Sequence, residues 1–327
     1  MPDSPRFVLH IGSNKTGTSS IQKMLVDNRA VLNAAGWDYP DFHLSHMAHH
    51  NLAHSIDNSA DRRIGENWQE EFRSVTKNTD MRYIFSSELF FRNVDPAKVA
   101  HFFPPEETKV VLYMRDHLNY MMSWYGQAIQ ERNVTCSFAD YVQIFSQPYT
   151  KYLSRWEEVY GKGQIVLRPF DRQQLVGGDS RTDFLQNIDG IDSDAIRLPE
   201  TDSNLSMSGN LLFFKKLLNN YMTIDEAKSY PISDEFGAFA GVKESFTGRF
   251  YVPPEDIRMV RATFKEDIVA MDKLGLKFNP MPTEVKGIPV PNYETLTDDF
   301  RLIKKIAVET DKSFLLYADR MQDWHAL

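Results

Sequence analysis

Residues Arg6 to Leu25 read RFVLHIGSNKTGTSSIQKML, and the order of residue types along this stretch decides the fold class. Phe7-Val8-Leu9-His10-Ile11 is a short, mostly apolar run of β type, and Gly12 to Gly17 is a tight polar loop carrying one lysine, Lys15. From Thr18 an amphipathic pattern begins, with Ile21, Met24, Leu25 and Leu32 at helical spacing. Strand, glycine-bounded loop and helix in succession make an anion cradle. The N–H groups of the loop and first helical turn converge on one point, and the helix dipole favours negative charge there. Thr16, Thr18, Ser19 and Ser20 crowd hydroxyls around the same point.

A nucleoside-triphosphate loop has the form G-x-x-x-x-G-K-[ST], with lysine directly after the second glycine. Gly12 and Gly17 have that separation, but Thr18 stands in the lysine's place and Lys15 lies inside the loop. Thr18 and Ser19 can still serve a phosphate.

Bulk properties bound the rest. With 327 residues, 42% apolar and 25% charged, the chain can bury a sizeable core as one large α/β domain or two smaller ones. No run has the length of a membrane span, and the first residues lack the charged and apolar regions of a signal peptide. A lone cysteine, Cys136, excludes an internal disulfide, which points to the reducing cytoplasm. A net charge of −8 argues against nucleic acid as a partner but not against an anionic small molecule, for which a local cluster of cations suffices.

The chain alternates strand-like and helical stretches. Gly36 to Pro40 closes the first helical region and starts a short strand. Asp61 to Lys77 predicts a helix, Met81 to Phe85 a strand running into Ser86-Ser87-Glu88, and Asp95 to Phe103 a short helix. Lys109 to Met114 is a continuous apolar strand of the kind covered on both faces, followed directly by Arg115 and, eight positions on, by Ser123. Beyond residue 135 the chain is mainly helical: Phe138–Phe145, Tyr152–Tyr160, Thr182–Ile188, Met207–Tyr221 and a last helix over Thr297–Met321, with one more strand at Gln164–Leu167. This pattern predicts a three-layer, P-loop-like α/β fold with a central, mostly parallel sheet and a helical C-terminal elaboration. It reads as a single domain over 1–327, with a cofactor-binding core in 1–135 and the helical completion in 136–327. The residues leaving the strands, Gly12, Ser87, Arg115 and Arg168, should share one sheet edge. Five of the nine histidines fall between His43 and His54, with His46, His50 and His54 at i, i+4 spacing. A zinc site is one reading of them, though no cysteine or carboxylate accompanies it. A segment facing the substrate is the other, and no metal is assigned.

HIGSNKTGTSSIQ resembles the 5′-phosphosulfate loop of sulfotransferases that use 3′-phosphoadenosine 5′-phosphosulfate, PAPS, and Arg115 with Ser123 resembles the same family's 3′-phosphate site in spacing and context. A guanidinium offers forked donors to phosphate oxygens, and a hydroxyl adds one more. Arg168-Pro169-Phe170, Asp183-Phe184-Leu185 and Asn204-Leu205-Ser206 are looser echoes of that family. The resemblance implies transfer of a sulfuryl group from PAPS to a hydroxyl or amine acceptor, releasing adenosine 3′,5′-bisphosphate without a metal. Lys15, Thr16, Gly17, Thr18, Ser19, Ser20, Arg115 and Ser123 would hold the cofactor. Lys243 and Arg249, in the glycine-bearing loop KESFTGRFY, would close over it. Lys15 would also be catalytic, as the cation that neutralises the leaving phosphate. Carbohydrate-modifying relatives use a glutamate as general base, and the turn after the third strand offers Glu88. Its competing role is a helix cap before Leu89-Phe90-Phe91. His49 and His50 are candidate acceptor contacts, with His49, His50 and His117 as fallback bases. Small-molecule members often stack adenine on a tryptophan where this chain has Ser20, which with Glu88 tilts the expectation toward a carbohydrate or glycolipid acceptor. The alternatives are a P-loop kinase or NTPase with a variant loop, and a non-catalytic nucleotide-binding module.

Overall fold

The computed structural model describes residues 5–58, 65–199 and 206–321. Five strands, β1 (Phe7–His10), β2 (Trp37–Asp38), β3 (Arg82–Ser86), β4 (Thr108–Met114) and β5 (Ile165–Pro169), form one sheet in the order β2-β3-β1-β4-β5. Every pairing is parallel, so all five strands point their carboxyl ends at the same edge. The protein is therefore α/β, with β1 at the centre and helices on both faces. Both faces are dry, as the unbroken apolar run in β4 requires: all seven of its residues are buried.

One face is covered by α1 (Thr18–Asp27) and the short helix Ser180–Leu185. Ile21, Met24 and Leu25 meet Val8, Ile84, Val111, Tyr113 and Phe184 there. The other face is closed by aromatic rings. Phe72, from the helix Trp68–Val75, lies 5.5 Å from Phe85 and 5.4 Å from Phe103, and Phe103 lies 5.4 Å from Phe7. Edge-to-face geometry dominates these pairs, which adds a quadrupolar attraction to the area removed from water.

The chain divides into two compact units. The first comprises Met1–Asp116, Gln147–Thr201 and Glu266–Asn279 and holds the whole sheet. The second comprises His117–Ser146, Asp202–Lys265 and Pro280–Leu327 and is built mainly from helices, among them His117–Arg132, Gly209–Asn219, Ile232–Ala240 and Leu296–Glu309. Its core gathers Phe214, Phe236, Phe239, Phe300 and Phe314, with ring centroids 5.3 to 6.1 Å apart. Ser123, Lys243 and Arg249 belong to this second unit; Lys15, Glu88 and Arg115 belong to the first.

Several elements differ in extent from their sequence reading. The Asp61–Lys77 helix begins at Trp68, and its first four residues, like Asn204 and Leu205, lie outside the described residues. Asp95–Phe103 is helical only over Pro96–Val99, because Asp95 caps it by accepting from the Ala97 N–H at 3.0 Å and Pro96 sits at its first position. The last helix stops at Glu309. Asp311 turns left-handed (φ 49°), and the short helix Leu315–Ala318 follows. Glu235 seats that break by accepting the Ser313 and Phe314 N–H groups at 2.8 and 3.0 Å.

Candidate anion-binding loop and carboxylate

The loop after β1 continues the sheet ladder before it turns. Ile11 N–H donates to the Val111 carbonyl (3.0 Å) and Ser13 N–H to the Tyr113 carbonyl (3.1 Å), which ties the loop's first half to β4. The turn itself needs left-handed backbone at two positions, Lys15 (φ 67°) and Gly17 (φ 73°). At Gly17 a side chain is excluded twice over. A Cβ would lie 2.8 Å from Ser180 Oγ and 2.9 Å from the Phe170 ring, in addition to the unfavourable φ. Gly12 is similarly confined, since a Cβ there would lie 2.8 Å from His10 Nε2 and 2.9 Å from the Thr18 methyl. Gly17 is the N-terminal boundary of α1, and no side chain caps that helix. Ser20 N–H donates to the Gly17 carbonyl (3.1 Å), which leaves the Thr18 and Ser19 N–H groups of that first turn to the loop's concavity.

The hydroxyls divide. Thr16 is fully buried and donates to the Ser13 carbonyl at 2.5 Å, so it braces the loop instead of facing a ligand, contrary to its sequence assignment as a cofactor contact. Thr18 is 5% exposed, Ser20 half-buried and Ser19 exposed. Ser13 Oγ is buried with no hydrogen-bond partner among the described residues, as is His10 Nε2 directly beneath Gly12. Orphaned buried polar atoms are uncommon enough to require an explanation, and a ligand taking a hydrogen bond at the loop is one that fits. Arg115, leaving β4 beside β1, donates through Nη1 to the Lys15 carbonyl (3.3 Å) and lies 5.8 Å from the Phe170 ring centroid. The sheet edge therefore brings Lys15 and Arg115 together, two cations on a chain of net charge −8.

Arg168 is not at that edge, against the sequence expectation. It lies within β5 opposite Tyr113, and its guanidinium is turned onto Asp183 through Nε (3.0 Å) and Nη2. Asp183 also accepts from the Tyr113 hydroxyl (2.7 Å) and the Val176 N–H (3.0 Å). This is a buried clamp between β4, β5 and the Ser180–Leu185 helix.

Glu88 sits at the N-terminal boundary of the helix Leu89–Asn93, yet its side chain accepts no capping bond. One carboxylate oxygen receives the Gln22 amide at 3.3 Å; the other lies 3.9 Å from His50 Nε2. The carboxylate is 16% exposed, so it is held in place but reachable. His50 is anchored through Nδ1 to Ser87 Oγ (2.7 Å). Burial pushes the His50 pKa down and nearby His46 adds to this, while Glu88 pulls the other way; the imidazole is neutral at neutral pH.

His49 is withdrawn as an acceptor contact and as a base. It is fully buried, with Nε2 on the Pro40 carbonyl (3.0 Å) and Nδ1 on the Ser86 N–H (3.2 Å), and burial lowers its pKa to about 3. His46 turns left-handed (φ 57°) and precedes the helix His50–Asp57, so His46, His50 and His54 do not form one helical stripe. No group of three potential metal ligands occurs among the described residues. In the second unit, Lys243 forms an ion pair with Asp299 (2.5 Å), a carboxylate only 4% exposed; its ammonium neutralises a buried charge there. Arg249 is exposed and Ser123 half-buried. His117 is buried against Phe264, with ring centroids 4.6 Å apart.

Sequence reasoning passed over Gln22. Thr18, Ile21, Gln22 and Leu25 are the buried positions at i, i+3, i+4 and i+7 of α1. An amide in the middle of an otherwise apolar stripe is a signal that something polar must meet it.

No protein-family model matches the chain. An uncharacterized protein of Archaeoglobus fulgidus is 30% identical over 130 residues, which is 38% of this chain. The chain spans about a third (34%) of that relative's length. Among solved structures, a sulfotransferase from Alicyclobacillus acidocaldarius aligns with 83% of this chain and 95% of its own, at 14% identity and a TM-score of 0.40. A retinol dehydratase in complex with androsterone and the inactive cofactor PAP aligns with 86% of this chain and 85% of its own, at 14% identity and a TM-score of 0.39. No helix among the described residues is long and apolar enough to cross a membrane.

Proposed function

We propose that the protein is a PAPS-dependent sulfotransferase acting on a hydroxyl or amine acceptor of carbohydrate or glycolipid type, with Glu88 as general base. The observation that carries this reading is the pairing of Lys15 with Arg115 on the loop of one sheet edge, in a cradle that lacks the lysine of a triphosphate loop.

Sulfuryl transfer asks for charge neutralisation on the departing phosphate, a base for the acceptor's proton, and in-line alignment. PAPS supplies the activated sulfuryl group, and adenosine 3′,5′-bisphosphate leaves. Lys15 neutralises the oxygen that gains charge as the S–O bond breaks. The N–H groups at Gly17 to Ser19 and the Thr18, Ser19 and Ser20 hydroxyls hold the 5′-phosphate. Arg115 serves the 3′-phosphate. Glu88, which makes no capping bond to its helix, accepts the proton from the attacking hydroxyl. His50 stands beside it as an acceptor-orienting group, neutral and anchored by Ser87.

Thermal unfolding with adenosine 3′,5′-bisphosphate in the presence of EDTA tests the cofactor assignment. Binding to the folded state raises its apparent stability, by roughly 2.7 kcal/mol at a hundredfold excess over Kd. A response only to ATP with magnesium favours a kinase or NTPase, and no response to either favours a non-catalytic module. For the base, Glu88→Gln should retain bisphosphate binding while sulfuryl transfer falls by about 100-fold or more. Unchanged turnover in that variant removes Glu88 from the mechanism. A screen of hydroxyl and amine acceptors with sulfur-labelled PAPS identifies the substrate.

A further inference from the structure

The buried side of the site contains a line of hydrogen bonds from His10, which packs under the loop at Gly12, to the carboxylate. His10 Nε2 lies beneath Gly12, close enough that a Cβ there would come within 2.8 Å. Across the same ring, Nδ1 is 2.8 Å from Ser86 Oγ. Ser86 Oγ receives the Gln22 amide at 3.1 Å, and the same amide nitrogen reaches Glu88 Oε2 at 3.3 Å. An ionised carboxylate only accepts, so the amide must present its NH₂ group, and both of its hydrogens are used. With Gln22 donating to Ser86 Oγ, the serine's own hydrogen is available to His10 Nδ1. Burial lowers the His10 pKa to about 3, so the ring stays neutral and relays position, not charge. Gln22 is 4% exposed, and His10 and Ser86 are fully buried.

We propose that Gln22 is a positioning residue that couples the anion loop to the Glu88 carboxylate. It fixes one carboxylate oxygen, leaves the other toward His50, and transmits a shift of the loop or of α1 to the base through Ser86 and His10. The inference rests on Glu88 being the base but does not need it in order to be measured. The charged and titratable groups that bear on this carboxylate are few among the described residues. His50 lies 3.9 Å away on the helix His50–Asp57, and His46 acts on His50. Tyr39, whose hydroxyl donates to the Met47 carbonyl, also senses the Glu88 charge. Gln22 is the donor that reaches this carboxylate from α1.

The test is a carbon-13 spectrum of the full chain labelled at glutamate Cδ, recorded without and with adenosine 3′,5′-bisphosphate, with Glu88 assigned by its loss in Glu88→Gln. Wild type, Gln22→Leu and Gln22→Glu are compared. The Glu88 resonance should move in both variants, because each loses the amide hydrogen bond to Oε2. Adenosine 3′,5′-bisphosphate should shift the Glu88 resonance in the wild type and no longer do so in Gln22→Leu. With an acceptor in hand, Gln22→Leu should lower kcat, leaving KM for PAPS within about twofold. If Gln22→Glu fails to fold, Gln22→Leu, which keeps the side chain's approximate volume, carries the comparison alone. An unaltered Glu88 resonance in a folded Gln22→Leu, or a bisphosphate-induced shift that persists in it, overturns the proposal, whether or not the protein transfers sulfate. Conversely, a Glu88 resonance that moves in Gln22→Leu of a protein that neither binds the bisphosphate nor transfers sulfate upholds Gln22 as the positioning residue and defeats the functional reading.

Discussion

Gly17 is where one atom separates a working loop from a broken one. Its φ of 73° already disfavours any L side chain, and the space a methyl would need is taken by Ser180 Oγ and the Phe170 ring. Gly17→Ala should therefore cost roughly 1–2 kcal/mol from the left-handed backbone alone, with further loss from the contacts. Urea denaturation checks the stability, and calorimetric titration of adenosine 3′,5′-bisphosphate should show weakened binding in the same variant. Lys15 shares the left-handed geometry but carries the charge, so Lys15→Ala relieves nothing sterically and removes the cation; binding and transfer should both fall. The loop lysine and the glycines could be picked from the sequence because each is marked by its neighbours along the chain, and Glu88 from the turn where the sulfotransferase resemblance implies a base. The partner of Glu88 on α1 could not be picked in that way. Gln22 and Glu88 are far apart in sequence and meet only because β1 and β3 lie side by side.

At the scale of elements, the Asp183 clamp and the Lys215 anchor make pH predictions of the same sign in different windows, one acidic and one alkaline. Burial works to raise the Asp183 pKa, but Arg168, the Val176 N–H and the Tyr113 hydroxyl outweigh it and hold the carboxyl below its ordinary range. A carboxyl depressed in the folded state contributes stability that is present above its unfolded pKa and lost as pH falls through the folded one. The acid limb of the stability curve should thus be shallower in Asp183→Ala, which should cost about 3 kcal/mol near neutrality because it leaves Arg168 without its carboxylate. Lys215, on the helix Gly209–Asn219, is 2% exposed and donates to the Ile129 carbonyl (3.0 Å) and to Asn219 Oδ1 (2.5 Å). Both partners are neutral, and burial pushes its pKa down from 10.5 to about 8. Between those two values the unfolded chain keeps the proton and the folded chain has released it, so stability should rise with pH across that window, by up to about 1.4 kcal/mol per pH unit. Lys215→Met should flatten the rise, as read by urea denaturation at several pH values.

For the whole molecule, two compact units, each with its own aromatic and aliphatic core, give calorimetry something specific to detect. Unfolding should depart from a single two-state transition, with a calorimetric enthalpy above the van't Hoff value. Adenosine 3′,5′-bisphosphate should raise the transition of the unit that carries the Gly12–Gly17 loop. A single transition with equal enthalpies would mean that the two cores unfold as one. Residues 117–146 and 266–279 exchange between the units in chain order, so each unit is assembled from three segments. No composition shift marks such a division in the sequence, because contacts and not chain position define it.

What the sequence determined by itself was the local grammar of the fold. A buried strand reads as a run of apolar residues, a helix as a 3.6-residue stripe, and an anion loop as glycines around one cation, since each arises from interactions among residues within a turn or two. That sufficed for the α/β class, for the parallel sheet and for the Lys15 loop, while Glu88 and Arg115 were singled out by the resemblance to sulfotransferases. Tertiary structure alone decided which side chains remained available. It turned Arg168 inward onto Asp183, sealed His49 between Pro40 and Ser86, spent Lys243 on Asp299, and set Gln22 against Glu88. Each of those outcomes depends on a partner many residues away, brought within hydrogen-bond distance by the strand order β2-β3-β1-β4-β5 or by helix packing. The buried polar group takes whichever partner the fold delivers, because leaving it unpaired costs more than any local preference can offset.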